Sequence, residues 1–217
     1  MDPVTRRTFS RRLRAWYRRN ARDLPWRRTR NPYHILVSEL MLQQTQVSRV
    51  LDYYGRFLKR YPTLASLSAA QPHQVKEAWA GLGYYARARN LHKLARTVSS
   101  LPESPAELEG LPGVGPYTAG AVASFAYERR AALVDTNVAR VLLRVFAPGT
   151  HPKGNHRLAW DLARAVLPRT GRTAYTHNQA LMELGALICT ARVRHCTRCP
   201  VRSLCGTAAA TTARSSA

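Results

Sequence analysis

Every cysteine of the 217-residue chain falls between residues 189 and 205, in the stretch CTARVRHCTRCPVRSLC. No other feature restricts the fold as tightly, because four thiols spaced Cys189-x6-Cys196-x2-Cys199-x5-Cys205 are gathered in one short basic loop. Disulfides are disfavoured there: a chain of this length with 45% hydrophobic residues can bury a core without staples. A four-thiolate metal site remains, either zinc or an iron-sulfur cluster. Zinc modules tend to use two C-x-x-C knuckles and this loop has one, CTRC, which tilts the spacing toward a cluster and leaves zinc open.

The rest of the chain reads as helix. Apolar residues recur at helical spacing nearly everywhere and no sustained strand-like alternation occurs, while Gly and Pro punctuate the segments. An all-α fold is expected. The last residues, GTAAATTARSSA, are of low complexity and predict a disordered tail over 206–217.

Lys and Arg number 34 against 12 Asp and Glu, a formal net charge of +22 carried almost entirely by arginine. The excess is spread along the chain and not collected on one amphipathic helix, so DNA or RNA is a better partner than a membrane surface. No run of about 18 apolar residues predicts a membrane span. The Arg-rich N-terminal stretch has the flavour of a transit peptide, yet it contains Asp23 and runs on into Trp26 and further helical pattern.

Two motifs carry chemistry. LEGLPGVGPYTAGAV, residues 108–122, reads as helix, tight turn, helix. Gly113 and Gly115 free the backbone to turn, and Thr118 opens a helix whose positive N-terminus suits a phosphate. Asp135, in VDTNVARV, reads on the residues alone as a conventional N-cap for the helix that follows.

The cysteine spacing at the end of a basic helical chain resembles the cluster loop of the helix-hairpin-helix DNA glycosylases of the endonuclease III and adenine DNA glycosylase group. LPGVG followed by VDTNVARV resembles the hairpin and catalytic aspartate of that group. ARDLPWRRTRNPYHILVSELMLQQTQVSRVLDYY, residues 21–54, and WAGLGYYARARNLHKLA, residues 79–95, resemble the adenine glycosylases in particular.

The resemblance implies a four-iron four-sulfur cluster on Cys189, Cys196, Cys199 and Cys205, with Arg192, Arg194, His195, Arg198 and Arg202 free to face phosphates. It implies Glu39 as the acid that protonates the departing base and Asp135 as the carboxylate that stabilises the sugar cation. The apolar setting ILVSELML would raise the pKa of Glu39 for that task. Tyr117 and Asn137 would position the base and Asp135, with Arg27 and Gln179 as weaker candidates. Gln43 or Gln44 and Tyr84 would wedge into the base stack, although the tyrosines also suit packing between helices. Gly113, Gly115, Thr118, Arg87, Arg89, Arg194 and Arg198 would meet the DNA backbone.

Where endonuclease III-type members carry a nucleophilic lysine, Tyr117 stands, which implies base release without strand cleavage. The expected architecture is two interleaved helical subdomains, 1–29 with 131–188 and 30–130, followed by a cluster loop at 189–205. DNA would lie in the cleft, with Glu39 and Asp135 facing each other across the flipped nucleotide.

Adenine glycosylases of the group usually continue into a second domain that reads 8-oxoguanine, and no such sequence follows Cys205 here. Removal of thymine or uracil opposite guanine, as related short enzymes perform, therefore stays open, as does a non-catalytic DNA-binding module. A monomer acting on mispaired duplex DNA, cytoplasmic and associated with the nucleoid, is the expected setting.

Overall fold

The computed structural model describes residues 2–215; Met1, Ser216 and Ala217 lie outside them. The described residues form twelve α-helices and no strand, with one isolated antiparallel bridge between Cys189 and Arg194. No helix among them is long and apolar enough to cross a membrane. The chain divides into two compact units, one of Met1–Arg22 with Glu128–Ala217 and the other of Asp23–Tyr127.

The discontinuous unit opens with α1, Pro3–Asn20. Pro3 sits at the helix start, and the Asp2 carboxylate accepts the Thr5 N–H at 2.9 Å, so a free backbone donor is satisfied and the first turn is fixed. Phe9, Leu13 and Trp16 recur at helical spacing and bury one stripe against α10, His156–Val166, and α11, Gly171–Leu187. Each contributes about 1.5–3 kcal/mol by leaving water. The arginines of α1 occupy its remaining faces.

Helix α9, Thr136–Phe146, packs on α10 and α11. After α11 come two short 3₁₀ turns, Cys196–Arg198 and Arg202–Leu204, and then α12, Gly206–Ser215.

That last helix corrects the expected disordered tail over residues 206–215. Alanine is the strongest helix former, and the start of α12 is anchored: the Thr207 hydroxyl donates to the Arg144 carbonyl at 2.7 Å, and Gly206 lies so close to Pro148 that a Cβ would come within 2.9 Å of its ring.

The second unit holds a 3₁₀ turn at Pro25–Arg27 and helices α2 to α8. It begins at Asp23, earlier than the expected residue 30, because that turn packs on α2 and Trp26 meets Tyr54 edge to face at 5.4 Å. Helix α2, Pro32–Leu42, is capped by Asn31, whose side chain accepts from the N–H groups of Tyr33 and His34. It is buried on nearly every side, from Tyr33 to Met41, as a helix without a polar face must be. It packs on α8, Pro116–Tyr127, whose buried face of Thr118, Ala119, Gly120, Ala121, Ala123 and Ser124 is small enough to let the two backbones approach.

Around this pair lie α3, Val47–Arg60, α5, Pro72–Ala78, and α6, Ala86–Ala95, with the short helices α4, Leu64–Ser68, and α7, Pro105–Glu109.

Candidate functional site

In the second unit the burial of α2 carries a carboxyl inward. Glu39 is only 4% exposed, and the Tyr117 hydroxyl, from the first turn of α8, donates to its Oε2 at 2.7 Å. One turn along α2, the Gln43 side-chain N–H donates to the Thr118 hydroxyl at 3.3 Å. The end of α2 and the start of α8 are thus pinned at two successive points. A buried carboxyl held in one orientation by a phenol is suited to proton transfer to a ligand.

Thr118 is 2% exposed and its hydroxyl accepts from the Gln43 amide, so what it offers an anion is its place in the first turn of α8.

Helices α7 and α8 form the hairpin. Gly113 adopts φ +77°, and a Cβ there would lie 2.5 Å from Cβ of Asn90, so only glycine fits. Gly115 has no left-handed φ, and a Cβ on it would meet nothing within 4 Å. Its exposed backbone leaves the helix N-terminus open to an anion.

Two loops of the same unit present the expected wedge residues. Gln44 at φ 54° and Tyr84 at φ 46° are both left-handed without being glycine, and both are exposed, Tyr84 by 58%. Gln43 is half-buried behind Gln44, and Tyr85 is half-buried with the Lys76 ammonium over its ring. Arg89 is exposed on α6 and Arg27 half-buried in the 3₁₀ turn. Arg87 departs from its expected role on DNA phosphates: it is 7% exposed and its guanidinium points into the unit, where carbonyl oxygens take up its N–H groups.

In the discontinuous unit, Asp135 caps α9: its Oδ1 accepts the Val138 N–H at 2.7 Å. Its Oδ2 accepts from the Asn137 amide at 3.0 Å. The Asn137 oxygen in turn accepts from Arg140 at 2.6 Å, and Arg140 also donates to the carbonyls of Gly185 and Cys189, each at 2.8 Å. Close packing supports the arrangement, since a Cβ at Gly185 would lie 2.7 Å from Cβ of Asn137. Gln179 is buried in α11, 5% exposed.

Sequence reasoning missed Arg140, although its spacing of three from Asn137 and four from Arg144 puts all three on neighbouring positions of α9.

The four cysteines are free thiols, each half-buried, and they line one cavity of about 410 Å³ together with Arg144, Arg194, Arg202 and residues of α9, α11 and α12. Among the described residues no three His, Cys, Asp or Glu side chains are arranged to hold a single metal ion. The cavity is far larger than one tetrahedral ion needs, with metal–sulfur bonds of about 2.3 Å, and it suits a multinuclear group. Burial pushes the Cys199 thiol up to about 11 and raises Cys205 too, and a metal bound there would favour their thiolate forms.

Arg144 donates to the Cys189 sulfur at 3.3 Å and to the Thr190 carbonyl at 2.7 Å, tying the loop to α9. Arg192, Arg194, His195, Arg198 and Arg202 are all exposed on it.

Comparison with known proteins adds to this geometry. Residues 37–164 match the family described as the HhH-GPD superfamily base excision DNA repair protein. The chain is 45% identical over 214 residues to the adenine DNA glycosylase of Rattus norvegicus, covering 91% of this chain and 41% of that protein. It is 45% identical over 196 residues to the adenine DNA glycosylase of Mycolicibacterium smegmatis, covering 87% and 66%. The chain therefore spans less than two thirds of the length of these curated relatives.

Among solved structures, a thermostable thymine-DNA glycosylase superimposes with a TM-score of 0.86 at 31% identity, over 95% of this chain and 98% of that one. A non-covalent endonuclease III–DNA complex shares the fold, with a TM-score of 0.79 at 23% identity over 98% of this chain and 99% of the other.

Proposed function

Because the chain belongs to the HhH-GPD superfamily of base excision DNA repair proteins, we propose that it is a DNA glycosylase that removes adenine mispaired with 8-oxoguanine or guanine. The observation that carries this reading is the buried carboxyl of Glu39 beneath the Tyr117 hydroxyl. Adenine is a poor leaving group until its ring is protonated, and a carboxyl shielded from water and fixed in orientation can deliver that proton. Identities near 45% to proteins named adenine DNA glycosylase support the same choice of base.

In the proposed reaction Glu39 protonates the base, the N-glycosidic bond breaks, and the sugar acquires oxocarbenium character. Asp135, held by the Val138 N–H and the Asn137 amide, stabilises that cation. Water adds to the sugar, leaving an abasic site and free adenine. Tyr117 occupies the place of the lysine nucleophile and its hydroxyl is engaged by Glu39, so strand cleavage is not expected. Gln44 and Tyr84, exposed on their loops, fill the stack vacated by the extruded nucleotide. The open backbone at Gly113 and Gly115 and the side chain of Arg89 take phosphates.

Cys189, Cys196, Cys199 and Cys205 would hold a four-iron four-sulfur cluster. When bound, it would keep the four sulfurs as thiolates and fix the loop that presents Arg194 and Arg198 to DNA.

A second reading, release of thymine or uracil opposite guanine, draws support from the likeness to the thermostable thymine-DNA glycosylase, 98% of whose solved chain is covered. Single-turnover base release on adenine opposite 8-oxoguanine, adenine opposite guanine, thymine opposite guanine and uracil opposite guanine, with alkali added to reveal abasic sites, separates the two. Adenine release is expected. Pyrimidine release alone would transfer the protein to the second reading, and silence on all four would leave a DNA-binding module without catalysis.

A further inference from the structure

The inward turn of Arg87 has a specific geometry. One terminal nitrogen, Nη1, faces the carbonyls of Leu40 and Met41 at 2.8 Å, the Gln43 carbonyl at 2.5 Å and the Thr45 hydroxyl at 3.2 Å. The other, Nη2, donates to the carbonyls of Leu82 and Gly83 at 3.1 and 3.0 Å. The first group brackets Gln44; the second leads directly into Tyr84. A single always-charged side chain thus joins two loops about forty residues apart in sequence, each of which carries one exposed, left-handed, non-glycine residue at its tip.

Left-handed backbone is unfavourable for such a residue and persists only where its surroundings over-determine it. Gln44 and Tyr84 share one such restraint. Lysine could not reproduce it, because its single ammonium cannot span two sets of carbonyls. Trp79, fully buried, lies under the guanidinium at 5.6 Å and donates to the Gly83 carbonyl at 3.3 Å, while the Tyr84 ring lies against it at 5.3 Å. Arg49 adds a second tie, donating to the Gly81 carbonyl at 2.7 Å.

We propose that Arg87 is a positioning residue that locks the Gln44 and Tyr84 loops into one rigid wedge, so that both side chains enter the base stack together. Its contribution falls on extrusion of the nucleotide and not on cleavage of the glycosidic bond. The inference rests on the reading of the chain as a base-flipping glycosylase. Without the tie, each loop relaxes separately, and the cost of opening a stacked pair is no longer met by a preformed insert.

The test is single-turnover adenine release from two duplexes, one with adenine paired opposite guanine and one with adenine opposite an abasic analogue, where unpairing is cheap. Arg87→Met and Arg87→Lys are expected to slow release from the paired duplex by roughly 10- to 100-fold and from the unpaired one by several-fold less. Adding Arg87→Met to a chain that already carries Gln44→Ala and Tyr84→Ala is expected to cost less than about twofold on the paired duplex, since residues that act through one another are not additive.

Equal losses on both duplexes, or a full further loss in the double-variant background, would reduce Arg87 to a structural residue. Where Arg87→Met fails to fold by thermal melting, Arg87→Lys decides the same comparison. A wild-type chain that releases no base from either duplex overturns the proposed function and this inference together, whereas an active wild type with uniform Arg87 losses overturns the inference alone.

Discussion

Tyr117 and Glu39, 78 positions apart in sequence, are joined by a hydrogen bond of 2.7 Å in which the phenol donates to the buried carboxyl. Leaving a buried polar group without its hydrogen-bond partner costs about 1–3 kcal/mol. Tyr117→Phe is therefore expected to slow adenine release by roughly 10- to 100-fold, and Glu39→Gln to abolish it, both with duplex affinity retained. Single-turnover kinetics beside a gel-shift titration measures the two quantities separately; unchanged turnover in Glu39→Gln would remove it as the acid.

The orientation of Asp135 depends on a chain of donors, from Arg140 to Asn137 to the carboxylate. Asn137→Ala removes one of its two donors and is expected to lower base release by about 10-fold or more. Asn137→Asp is expected to be worse, because it sets a second negative charge beside the first. Equal rates for the Ala and Asp variants would indicate that the amide merely fills space.

Gln44 shows how a functional conformation costs stability. Gln44→Gly relieves its left-handed backbone at φ 54° and is expected to stabilise the fold by about 0.5–1 kcal/mol net of glycine's extra freedom when unfolded. That corresponds to a rise of about 1–4 °C in Tm. Release of a paired adenine should fall at the same time. A variant that melts lower and loses activity would contradict this account.

His177 sets an acid limit on stability. It is fully buried in α11 with Nδ1 3.0 Å from the Ser10 hydroxyl, and burial holds its imidazole down to about 3 against an ordinary 6.5. The unfolded chain takes up this proton below pH about 6.5 and the native chain refuses it until about pH 3. Stability from this group is therefore complete above pH 6.5 and is lost as pH falls through that window, by an amount on the order of a few kcal/mol. Urea midpoints at pH 7 and pH 4.5 should converge in His177→Asn relative to the wild type; an identical drop in both would assign the acid sensitivity elsewhere.

Several elements were legible in the sequence because their signals are local. The cap that Asp135 gives α9 could be read from DTN before an apolar repeat, and the sharp turn at Gly113 from LPGVG. What escaped was set by distant partners. Nothing in LMLQQTQVS marks the break between α2 and α3, since it contains neither Gly nor Pro; the break is held by Arg87, 44 positions from Gln43. An arginine is ordinarily a surface residue, so its inward turn had no sequence signature either. The residue types of Glu39 and Tyr117 suggested chemistry, but their pairing belongs to the packing of α2 on α8.

The buried carboxylate of Glu183 on α11 receives the Arg22 guanidinium and backbone N–H just beyond α1, across 161 positions of chain. During synthesis at roughly 5–20 residues per second, α1 therefore waits on the order of 10–30 s for its partner to leave the ribosome. Through that interval Phe9, Leu13 and Trp16 have no surface to cover, while Asp23–Tyr127 can already condense as a unit of its own. A chaperone that shields the apolar stripe of α1 until α11 has emerged would therefore raise the yield more than one acting after release.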